Sequence, residues 1–76
     1  MKNEALISAR KAKGLTQEQL AELLNCKKSS VSNWENGYST PKLADAFRVA
    51  EILEQDVNHL FLVNKVQDSQ TKASSA

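Results

Sequence analysis

Side chains able to do covalent chemistry are few in this sequence. It holds one His, His59, with no second ligand at useful spacing, and one Cys, Cys26, with no neighbour that suggests a lowered pKa or a metal. There is no Ser/His/Asp set, no Gly-rich phosphate loop and no cluster of metal-ligand residues, and a chain this small leaves little room for a catalytic pocket. An enzyme is therefore not expected, and neither is a cofactor or a bound metal. What remains is polar and cationic. Lys27 and Lys28 stand side by side, followed by Ser29, Ser32 and Asn33. Such groups offer donors to phosphates and other acceptors rather than bonds to break.

The elements that hold these residues are helices. Leu20, Leu23 and Leu24 recur at helical spacing, then come Asn25 and Cys26, and a second helical pattern runs through Val31 and Trp34. Two short amphipathic helices joined by about three or four residues make a helix-turn-helix. The corner between them needs a residue that tolerates the left-handed backbone region, and Asn25 sits there. Ala21, one turn earlier, leaves room for the second helix to cross closely. Leu20, Ala21, Asn25, Cys26, Val31 and Trp34 fit a packed corner, with Trp34 read as core because it continues the Val31 stripe and Cys26 read as a small buried apolar residue.

The remaining chain supplies the scaffold. Residues 3–13 read as a first helix with Asn3 as N-cap, an apolar face through Ala5, Leu6 and Ala9, basic residues Arg10, Lys11 and Lys13 in the last turn, and Gly14 as its stop. Thr16-Gln17-Glu18-Gln19 is a capping box that opens the second helix, residues 17–24. The third helix, residues 28–36, starts at Lys27, where a Ser or Thr cap is missing, and ends in Asn36-Gly37. Thr40 as N-cap and Pro41 as first residue open a fourth helix over residues 41–53, with Leu43, Ala46, Phe47, Ala50 and Leu53 as its buried stripe. Asp56 precedes a fifth, residues 57–63. The apolar run Leu60-Phe61-Leu62 is either core or the seam of a homodimer, with His59 a surface or dimer-face residue. Residues 64–76 show no periodicity and read as a flexible polar tail after a domain of residues 1–63.

Composition agrees with an all-α domain. Of 76 residues 41% are apolar and only 5% aromatic, so the core must be built from Leu, Val, Ile and Ala on helical stripes. A lone Cys gives no disulfide framework, no apolar run approaches a membrane span, and the N-terminus lacks the apolar centre of a signal peptide, so a cytoplasmic protein is expected. The net charge is +1, but residues 1–42 hold seven Lys/Arg against four Asp/Glu, and the remainder three against five. The basic excess lies on the half that carries the helix pair.

Laid out this way, the chain resembles the Cro/CI-type (XRE-family) helix-turn-helix domains of phage and bacterial repressors. The resemblance covers roughly residues 5–62 and rests on ISARKAKGLTQEQLAELL, the turn at Asn25-Cys26, VSNWENG, the Pro41 helix start and DVNHLF. It implies a compact five-helix lambda-repressor-like fold and a sequence-selective, repressor-like transcription regulator that binds double-stranded DNA, as a homodimer through the C-terminal helix on a two-fold operator. By the same resemblance Gln17 binds a backbone phosphate and braces the third helix. Lys28, Ser29, Ser32 and Asn33 face the major groove, where Lys can donate to guanine O6 and N7 and Asn can pair with adenine N6 and N7. Lys27 stands where phosphates or bases lie, and Asn36 and Lys42 where phosphates are contacted. Arg10 and Glu35 match a buried ion pair. The sequence departs from the family at Asn25 and Glu54, where Gly is common, and at Lys27, where Ser or Thr is common. No self-assembly or cleavage domain is expected after residue 76. The small Ser residues and low net charge leave a second reading open, in which the same fold binds another regulator protein, as an antirepressor or antitoxin-like partner would.

Overall fold

The computed structural model describes residues 2–61, which form five helices: α1 (Glu4–Ala12), α2 (Gln17–Leu24), α3 (Lys28–Asn36), α4 (Leu43–Leu53) and α5 (Val57–Phe61). Among the described residues there is no strand. Each early boundary has a local cause. Asn3 Oδ1 accepts from the Leu6 amide and caps α1. Gly14, at φ 71, turns the chain after it. Thr16 Oγ1 accepts from the Gln19 amide while Gln19 Oε1 accepts from the Thr16 amide, so both halves of the capping box are present. Asn25 adopts φ 57, and the Cys26 amide reaches back to the Ala21 carbonyl at 2.9 Å, closing α2. Lys27 precedes α3 without any side-chain cap, and Gly37, at φ 79, ends it.

The helices enclose one apolar core. Leu6, Leu20, Val31, Val49, Leu53 and Leu60 are fully buried in it, one or two from each helix, and Trp34 joins them. Asn3 ties three elements together. Besides capping α1, its amide donates to the Glu35 carbonyl at 2.8 Å and its Nδ2 to the Leu60 carbonyl at 2.7 Å, so the start of α1 holds the ends of α3 and α5.

Several expectations from the pattern are corrected. The fourth helix begins at Leu43 with Lys42 before it, not at Thr40-Pro41. The backbone of Lys42, at φ −59 and ψ 157, is outside the helical region, so the helix begins only after it. Its buried stripe is Ala46, Val49, Ala50 and Leu53, whereas Leu43 and Phe47 are 45% and 52% exposed. Both sets repeat at helical spacing, and the one containing Val49 meets α2 and α5. Leu23 is likewise exposed, because Leu20, Ala21 and Leu24 occupy the inward arc of α2. Cys26 is half-buried against the core rather than enclosed. Leu60 and Phe61 are buried within the chain. Leu62, the expected end of the fifth helix at residue 63 and the tail of residues 64–76 lie outside the described residues.

Candidate nucleic-acid interface

The outward face of α3 follows from its inward one. Val31, Trp34 and Glu35 are buried. At 3.6 residues per turn, Ser29, Ser32, Asn33 and Asn36 fall on the opposite side, with Lys28 at its edge. Ser29, Asn33 and Lys28 are exposed, and Ser32 and Asn36 are half-buried. Asn36 Nδ2 lies 3.3 Å from Ser32 Oγ and donates to it. The face is polar, carries no acidic side chain and presents both amide and hydroxyl groups. Its nine residues make a rod about 13 Å long and, side chains included, about 10–12 Å across, a diameter that a major groove about 12 Å wide admits.

Electrostatics single out one end of this rod. The first turn of α3 holds no acid, Lys27 has no side-chain cap to give, and Lys27 and Lys28 are both exposed. The positive pole of the helix dipole and two ammonium groups thus share one place. That arrangement costs α3 stability and creates an attractive site for an anion.

Behind α3 lies a buried polar network. Arg10 Nε donates to Glu35 Oε2 at 2.6 Å and Arg10 Nη2 to Oε1 at 3.2 Å, a two-point pair with Glu35 only 3% exposed. Arg10 Nη1 donates to the Leu15 carbonyl at 2.7 Å. Gln17, the first residue of α2, donates from Nε2 to Glu35 Oε1 at 2.9 Å. The carboxylate therefore joins the end of α1, the start of α2 and the later half of α3. Among the described residues no buried side-chain polar atom lacks a partner.

The other sequence-marked residues are placed as follows. Asn25 forms the exposed corner of the helix pair, and Trp34 is core. Lys42 is exposed just before α4, in the connection that also carries Tyr38, 79% exposed. The pattern did not mark Tyr38, and its only signal is an aromatic in an otherwise polar segment between Gly37 and Pro41. Burial pushes the Cys26 thiol above its ordinary pKa, Asp45 adds to the rise and Arg48 opposes it, so the thiol stays protonated at neutral pH. Among the described residues no group of His, Cys, Asp and Glu is arranged to hold a metal, and no helix is long and apolar enough to cross a membrane.

Comparison with known proteins agrees with this geometry. The restriction-modification controller protein C.AhdI from Aeromonas hydrophila superimposes with a TM-score of 0.69 at 34% identity, over 78% of this chain and 89% of that one. The HTH-type transcriptional activator BcrR of Enterococcus faecalis is 34% identical over 58 residues, which are 76% of this chain but 28% of that protein. The chain thus spans little more than a quarter of the length of this relative. The model of the helix-turn-helix family matches residues 6–60, and the chain belongs to that family, in its XRE-type branch of DNA-binding regulators.

Proposed function

We propose that this protein regulates transcription by laying α3 in the major groove of duplex DNA, as a homodimer on a two-fold operator. The observation that supports this most is the outward face of α3, which is uncharged along its length and cationic at its N-terminus. Asn33 pairs with an adenine edge and Lys28 with a guanine edge, while Ser29 and Ser32 offer hydroxyls to neighbouring bases. Gln17, Lys27, Asn36 and Lys42 hold backbone phosphates and set the register. The two copies meet through the C-terminal helix α5, whose His59 is exposed while Leu60 and Phe61 are buried in their own chain. A protein of this kind represses where its operator overlaps a promoter. The names of the two relatives, a transcriptional activator and a restriction-modification controller, favour a regulatory role.

The test is binding by folded variants to a selected duplex and to single-base changes in it. Asn33→Ala and Lys28→Ala each lose about 1–3 kcal/mol of discrimination at one position. Lys42→Ala weakens all sequences alike and lowers the salt slope by about one. Unchanged affinity and unchanged preference in Asn33→Ala would remove α3 as the reading helix.

A further inference from the structure

We infer that Glu35, held in place by Arg10, is a positioning residue for DNA binding, because it fixes the orientation of the Gln17 side-chain amide. The inference rests on the proposed phosphate contact of Gln17 and deepens it. An ionised carboxylate only accepts hydrogen bonds, so the amide nitrogen of Gln17, not its oxygen, must face Glu35. The 2.9 Å contact from Gln17 Nε2 to Glu35 Oε1 has that geometry. One of the two Nε2 hydrogens is then used inward and the second is left for an outside acceptor. Gln17 is also the first residue of α2, where the main-chain N–H groups have no partner within the helix. The Thr16 hydroxyl takes the Gln19 amide, which leaves the earlier amides of the turn to an anion. With the amide reversed, Gln17 would offer its oxygen to a phosphate and repel it.

Arg10 completes the arrangement. A bare carboxylate beside the site would repel the DNA backbone. The guanidinium, bound at two points and anchored on the Leu15 carbonyl, leaves the pair neutral toward an incoming phosphate. Leu15 directly precedes the capped start of α2, so the same guanidinium also fixes where that helix begins. Position, orientation and charge at Gln17 are thus set from one buried network.

The test is a double-mutant cycle on binding to a selected duplex, using Gln17→Ala, Glu35→Gln and both together. The fold of each is checked by circular dichroism and urea titration. A Gln at position 35 can present either end of its amide, so it no longer dictates how Gln17 points. Glu35→Gln also leaves the Arg10 charge unpaired, an effect common to both backgrounds, so the coupling is the readout: binding falls about 3–10-fold more when Gln17 is present than in the Gln17→Ala background. An equal loss in both backgrounds would make Glu35 a purely structural residue and overturn the inference, while leaving the phosphate role of Gln17 intact. Gln17→Ala with undiminished binding would overturn both.

Should Glu35→Gln not fold, the unaltered protein still answers, through the side-chain amide protons of Gln17 in NMR spectra. One is shifted downfield and slow to exchange in the free protein, and the other shifts when duplex is added. Two Gln17 protons matching those of the exposed Gln55 would contradict the inference.

Discussion

Arg10 and Glu35 lie 25 residues apart and meet through two hydrogen bonds, Nε to Oε2 at 2.6 Å and Nη2 to Oε1 at 3.2 Å, beneath the face that α3 turns outward. Both residues are buried. Removing one partner leaves the other charge in the interior without compensation, which costs far more than the pair contributes over an apolar replacement. Arg10→Met should therefore lower the unfolding free energy by about 3–5 kcal/mol. Arg10→Met combined with Glu35→Leu should recover a large part of that loss. Urea titration of both variants checks it, and equal losses in the two would show that the charge is not what matters.

Glu54 stands at φ 56, in the left-handed region where a side chain is disfavoured, with its carboxylate exposed to solvent beside Lys13. Relief of that backbone strain outweighs the loss of an exposed ion pair. Glu54→Gly should raise stability by about 1 kcal/mol, read from thermal or urea unfolding. Gly14 is the converse. At φ 71, with no atom within 4 Å of the place a Cβ would take, Gly14→Ala should cost about 1 kcal/mol from backbone strain alone.

The Lys13 ammonium, by hydrogen bond and by charge, holds the Glu54 carboxyl below its ordinary value of 4.5. A carboxyl depressed in the folded state contributes stability that is present above the ordinary value and is lost as pH falls through the depressed one. Lys13→Met should therefore melt below the unaltered protein at pH 7, and the gap should close below pH 4.5. A gap that stays constant into acid would show that the contact contributes nothing.

Lys27 occupies the cap position of α3 without capping it. Lys27→Ser should stabilise the fold by about 0.5–1 kcal/mol, by supplying an acceptor to the first turn and removing a cation from the positive end of the dipole. The same substitution should weaken DNA binding. Opposite signs in thermal melting and in affinity would mark Lys27 as retained for binding at the expense of α3.

Much of this architecture is legible in the residue order because its causes are local. Asn3, the Thr16-Gln19 box, Asn25 and Gly37 each act within a few residues, and the helix limits follow from them. The rotation of α4 is not legible. Leu43 and Phe47 extend the helical stripe of Ala46, Ala50 and Leu53 as well as Val49 does, and only the facing helices choose between them. Polar links over long separations are equally hidden. The Arg10–Glu35 pair is visible only through family resemblance, and the bonds from Asn3 to Leu60 and from Gln17 to Glu35 have no signal in spacing at all. The outward face of α3 is readable as the complement of a core stripe, but what it binds is a matter of chemistry rather than of pattern.

Whether two copies of α3 read DNA is decided by selection from a random duplex pool at near-physiological salt. Enrichment of a palindrome whose half-sites lie about one helical turn, 34–36 Å, apart is the expected result. No enriched sequence, from protein shown to be folded, would contradict the reading role of α3.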